Sequence, residues 1–115
     1  DQVLKHVAKR IRQQLRSIDR VARIGGEEFA VVLTEVDHVT ASEVARRIVE
    51  MMARAPVALP DGPKLDVTIS AGSASMPKNA DDPVSLVQIA DKALYEAKTH
   101  GRNRAVPAVD LTREA

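Results

Sequence analysis

Cysteine is absent from the 115 residues, so neither a disulfide framework nor a thiolate metal site can form. Tryptophan is absent too, and Phe29 and Tyr95 are the only aromatics. Single-stranded nucleic acid is held by stacking on several aromatic faces, so that class of binder is disfavoured. Neither sign of charge dominates: 17 Lys and Arg against 16 Asp and Glu leave a net charge of +1. A strongly basic nucleic-acid binder is therefore not the default reading. Long apolar runs are missing as well. The longest, such as Phe29 to Leu33, reach four or five residues, too short to cross a bilayer. No charged-then-apolar leader pattern is present. What remains, 44% hydrophobic and 29% charged residues, is a globular balance. The length suits one small domain with an aliphatic core, and a soluble, cytoplasmic chain is expected.

Periodicity supplies the elements. Leu4, Val7, Ala8, Ile11 and Leu15 recur at the spacing of one helix face, and Asp1 is placed to cap that helix, which should end near Ser17. Two β-prone runs, Val21 to Ile24 and Phe29 to Leu33, flank Gly25-Gly26-Glu27-Glu28 and read as a hairpin. The second run is apolar throughout, which suggests a strand buried on both faces. Thr40-Ala41-Ser42-Glu43 fits a capping box ahead of a second helix, with stripe residues Val44, Ala45, Ile48, Val49 and Met52, and Pro56 stops it. Leu65 to Ser70 alternates like a half-buried strand. Asp82-Pro83 starts a third helix, Gly101 ends it, and Arg104-Ala105-Val106 suits a last short strand. The order α-β-β-α-β-α-β implies an α/β sandwich of the split-βαβ, ferredoxin-like type.

The hairpin tip carries the clearest chemistry. Two glycines let the backbone approach a phosphate or base closely, and adjacent carboxylates at a strand start can ligate Mg²⁺ together with phosphate oxygens. A solvated Gly-Gly turn with two exposed Glu is the plainer alternative. Lys98 and Arg102 stand four apart, so they share one helix face and could clamp a polyphosphate; cations also simply suit a helix C-terminus. His6, His38 and His100 show no ligand-like spacing and read as surface residues. Tyr95 reads as a packing residue. The basic stretch Lys5 to Arg16 reads as a solvated helix face.

Gly25-Gly26-Glu27-Glu28-Phe29 resembles the signature of the GGDEF family, the bacterial diguanylate cyclases, in its GGEEF form. Further segments extend the likeness in the family's order. Val67-Thr68-Ile69-Ser70-Ala71-Gly72 resembles a "TxSxG" strand. Ala90-Asp91-Lys92-Ala93-Leu94-Tyr95-Glu96-Ala97-Lys98 resembles an "ADxALYxAK" helix, and Gly101-Arg102-Asn103-Arg104 resembles a "GRNR" ending. The resemblance implies a palm fold like that of adenylyl cyclases, with helices around a mostly antiparallel sheet. It implies synthesis of cyclic di-GMP from two GTP with release of two pyrophosphates. Each domain holds one GTP, and a homodimer brings two domains face to face.

By position, Glu27 matches the family's metal-binding carboxylate. Glu28 matches the second acidic position, credited with metal binding and with activating the attacking hydroxyl. Gly25 and Gly26 match the glycines near GTP, and Lys98 and Arg102 match the pair that holds the β- and γ-phosphates. Asp1 matches the last residue of a "GHxxGD" segment that reads guanine. Arg16 and Asp19 match the RxxD inhibitory site for the product cyclic di-GMP, with five residues between Asp19 and Gly25, and Arg47 matches an Arg that completes this site in some members. The cofactor implied is Mg²⁺ or Mn²⁺. The expected boundaries are a partial GGDEF domain over 1–106 and a tail over 107–115. Roughly the first third of the family's domain, including a central strand with a metal-binding Asp, would precede Asp1, so the 115 residues alone are expected to be inactive. An upstream sensor or dimerisation domain is expected, on a cytoplasmic chain or the cytoplasmic part of a membrane-anchored sensor. A non-catalytic module that binds cyclic di-GMP or GTP remains the alternative.

Overall fold

A computed structural model describes residues 2–60 and 62–108. Helix α1 (Gln2–Gln13) leads into the antiparallel hairpin of β1 (Arg20–Gly25) and β2 (Glu28–Val32). Helix α2 (His38–Arg54) follows, then the short antiparallel pair β3 (Val57–Ala58) and β4 (Lys64–Leu65). Strand β5 (Ala71–Ser73), helix α3 (Pro83–Thr99) and strand β6 (Ala105–Pro107) complete the order, with β5 and β6 parallel. No helix among the described residues is long and apolar enough to cross a membrane.

The core forms where the α1 and α2 stripes meet the hairpin. Val7 and Ile11 pack with Ile48 and Met52, and Val21, Phe29 and Val31 close over them. Arg10 ties the two helices together at the far end, donating to the carbonyls of Ala55 and Pro56 just past α2. Helices α2 and α3 both lie against β5 and β6. There α3 comes so close that a Cβ on Gly72 would stand 2.2 Å from the backbone nitrogen of Leu94 and 2.4 Å from the carbonyl of Ala90. Ala93 and Ala97, fully buried, are the small residues that permit this approach.

Several expectations are met. Asp82 caps α3 with Pro83 at its first turn, and Gly101, at φ +116, follows its end. Others are corrected. Helix α1 stops at Gln13 rather than near Ser17, because its last turn tightens through bonds from Gln14 and Leu15 to the carbonyls of Ile11 and Arg12. The capping box at Thr40 does not form. Asp37 caps α2 by accepting from the Thr40 backbone nitrogen, and Glu43 instead pairs with Arg46. Val67 and Ile69 do pack against the core, but 66–70 joins no ladder among the described residues. Its two ends pair elsewhere, Lys64–Leu65 with β3 and Ala71–Ser73 with β6. Strand β2 buries one face only: Phe29 and Val31 turn inward while Val32 stays exposed. Tyr95 is 62% exposed rather than packed, since it lies across α3 from Ala93 and Ala97.

Candidate functional site

The hairpin tip is a tight reversal. Gly25 faces Glu28 across the ladder, and Gly26 adopts φ +51, a left-handed conformation that side chains disfavour. Nε of Arg23 donates to the Gly26 carbonyl at 2.8 Å and braces the turn. Glu27 and Glu28 are both exposed there. From the other side, the end of α3 reaches the same point: Lys98 Nζ lies 3.7 Å from Glu28 Oε2. Residues 70 apart in the chain are thus joined across one surface.

Arg102 does not share a helix face with Lys98, contrary to the helix-face expectation. Helix α3 ends at Thr99, and Gly101, Arg102 and Asn103 all take positive φ. The Arg102 backbone nitrogen donates to the Ala97 carbonyl at 2.9 Å, a helix-ending bond of the Schellman kind. Its exposed guanidinium makes no ion pair among the described residues. Asp1, the candidate guanine reader, lies outside the described residues.

Mg²⁺ takes one or two carboxylates and fills its shell with phosphate oxygens and water. Two adjacent exposed carboxylates suit a cation shared with a polyphosphate. Glu27 and Glu28 are the residues that could hold it.

A second constellation forms at the turn between α1 and β1. Asp19 is 2% exposed, and its carboxylate accepts from three nitrogens of Arg16: the backbone N at 2.8 Å, Nε at 3.1 Å and Nη2 at 2.8 Å. Those bonds, the Arg16 side chain first, hold the Asp19 carboxyl down at about 2. A buried carboxylate needs such partners to stay charged. Nη2 of Arg16 also donates to the Thr34 carbonyl at 2.8 Å. Arg16, Asp19 and Arg47 line one groove, with Gln14 and Leu33 among its other walls. The larger cavity, about 200 Å³ at the start of α2, is lined by none of the candidate residues.

Two functional candidates escaped sequence reasoning. Arg23 braces the signature turn, and Arg12 donates to the carbonyls of Asp19 and Arg16 at 2.6 and 2.8 Å. A cation in the last turn of a helix was visible in the sequence, but its target was not.

Comparison with known proteins places this geometry. A family model described as "Diguanylate cyclase, GGDEF domain" matches residues 1–104. Diguanylate cyclase A of Treponema denticola is 44% identical over 104 residues, 90% of this chain and 28% of its own length. The chain spans less than a third of the length of curated relatives it matches. The crystal structure of the GGDEF domain of TpbB from Pseudomonas aeruginosa superposes with a TM-score of 0.85 at 39% identity, covering 97% of this chain and 69% of that one. The GGDEF domain of DgcB from Caulobacter crescentus, solved with cyclic di-GMP, gives a TM-score of 0.83 at 28% identity over 95% of this chain and 64% of that one. A family match over nearly the whole chain and two close superpositions agree with the hairpin and with the helix end that meets it, and the chain belongs to the GGDEF family of diguanylate cyclase domains.

Proposed function

We propose that this domain is the catalytic part of a diguanylate cyclase that condenses two GTP into cyclic di-GMP. The observation that carries the reading is the meeting of Glu28 and Lys98 at 3.7 Å, which puts a carboxylate for the cation beside a cation for the phosphates. Lys98 and Arg102 bind the β- and γ-phosphates, and the Gly25-Gly26 backbone lets the nucleotide approach closely. The 3′-oxygen of one GTP attacks the α-phosphorus of the other. The new O–P bond forms as the bond to the bridging oxygen breaks, and pyrophosphate leaves. Glu28 accepts the hydroxyl proton. Repetition in the reverse sense closes the ring and releases the second pyrophosphate. Mg²⁺ or Mn²⁺ held by Glu27 and Glu28 would supply charge neutralisation at the phosphoryl group. Most of the rate then comes from positioning and electrostatics, and positioning requires two domains face to face, hence a homodimer.

The groove of Arg16, Asp19 and Arg47 is the proposed inhibitory site for the product. Arg presents a donor fork to phosphate or to the guanine O6 and N7 edge. That groove also favours the second reading, a non-catalytic cyclic di-GMP receptor, since it needs no catalysis to be useful. Chromatography of GTP incubated with the full-length protein and Mg²⁺ separates the two. Cyclic di-GMP formed by the wild type and lost in Glu28→Gln supports the enzyme. A folded, dimeric protein that binds cyclic di-GMP and forms none supports the receptor.

A further inference from the structure

We infer that Arg12, which does not line the inhibitory groove, is the positioning residue that sets its shape and thereby its affinity for a guanine-bearing cyclic dinucleotide. The inference rests on the reading of Arg16, Asp19 and Arg47 as an inhibitory site. The middle of the turn between Arg16 and the buried Asp19 packs against little. Ser17 is exposed and Ile18 is 53% exposed. One guanidinium ties the turn to α1. Arg12 Nη1 donates to the Asp19 carbonyl at 2.6 Å, and Nη2 donates to the Arg16 carbonyl at 2.8 Å. Both ends of the four-residue turn are therefore tied to the last turn of α1, where a cation is favoured in its own right.

The Asp19 backbone nitrogen closes the same loop onto the Arg16 carbonyl at 3.0 Å. Asp19 then fixes the Arg16 guanidinium through its carboxylate, and Arg16 anchors to the Thr34 carbonyl beyond β2. The chain of contacts runs from Arg12 to the turn, from the turn to Arg16, and so to the groove that Arg16 shares with Arg47 of α2. Without Arg12 the local Arg16–Asp19 pair can persist, but its orientation toward Arg47 is no longer set by α1. A lysine cannot replace this fork, because a point ammonium does not span two carbonyls in fixed geometry.

The test is calorimetric titration of cyclic di-GMP into the full-length wild type and its Arg12→Ala, Arg12→Lys and Arg16→Ala variants, with a non-hydrolysable GTP analogue titrated in parallel. Loss of two hydrogen bonds from a charged group is expected to weaken cyclic di-GMP binding roughly tenfold or more in both Arg12 variants, with GTP-analogue affinity unchanged. Arg12→Lys keeps the charge and decides the matter should Arg12→Ala fail to fold. If Arg16→Ala abolishes binding while the Arg12 variants bind within about twofold of wild type, the inference on Arg12 is overturned and the groove reading stands. If the Arg12 variants lose both ligands in proportion, Arg12 is a general structural residue and the inference is again overturned. If Arg16→Ala binds cyclic di-GMP like the wild type, the groove reading fails and takes the inference with it.

Discussion

Lys98 at the last turn of α3 and Glu28 at the first residue of β2 form an ion pair across the signature hairpin, 3.7 Å between Nζ and Oε2. Their side chains are 38% and 47% exposed, so the pair adds little to stability. Its value is placement: in the proposed function each partner is the other's counter-ion until a cation and a polyphosphate replace both.

Lys98→Ala should therefore leave the melting temperature close to wild type while raising the KM for GTP about tenfold, as expected for a lost charge-assisted phosphate contact. Initial-rate kinetics beside a thermal melt check this. A fall in melting temperature with KM unchanged would make Lys98 a structural residue.

Gly72 admits no side chain, because the Cβ position is occupied by the backbone of α3 rather than by a flexible side chain. Gly72→Ala must push α3 off β5, at a cost of about 3 kcal/mol or more. Chemical denaturation of the full-length protein should show the loss, and wild-type stability would refute the close approach.

The Asp19 carboxyl is held at about 2, against an ordinary value near 3.8, chiefly by the Arg16 side chain. A depressed acid stabilises the fold above its unfolded value, and that contribution disappears as pH falls through the folded value. The stability difference between wild type and Asp19→Asn should be constant at neutral pH and shrink between about pH 4 and pH 2. Urea midpoints across that range test it, and a difference independent of pH would contradict it.

Arg102 sits at φ +63, a left-handed conformation that costs roughly 1 kcal/mol or more for a non-glycine residue. Arg102→Gly relieves that strain and gives back a similar amount as chain entropy. The variant should melt near wild type and still bind GTP more weakly, which isolates the cation's role. Titration with a GTP analogue reads the effect, and unchanged affinity would remove Arg102 from the phosphate site.

Much of this was legible in the sequence because local chemistry decided it. Asp82-Pro83 and Gly101 mark the ends of α3 by capping and backbone freedom, and the helices follow from their apolar stripes. The signature turn needs Gly26 for its left-handed φ. What stayed hidden depended on partners outside the motif being read. The alternation of 65–70 correctly puts Val67 and Ile69 inward, yet a ladder needs a neighbour, and alternation says nothing of one. Thr40 looked like a cap because its spacing to Glu43 was right, but Asp37, three residues earlier, accepts from the Thr40 nitrogen first. Gly72 reads as one more glycine until α3 is laid against it. The i, i+4 spacing of Lys98 and Arg102 suggested a helix face that the chain abandons at Thr99.

The central claim is that the signature hairpin and the end of α3 form one nucleotide site. A crystal structure of the full-length protein with Mg²⁺ and a non-hydrolysable GTP analogue tests it most directly. The expected result is a triphosphate against Lys98 and Arg102, with the cation on Glu27 and Glu28 and the original Lys98–Glu28 pair opened. A triphosphate seated away from Lys98, with that pair intact, would contradict it.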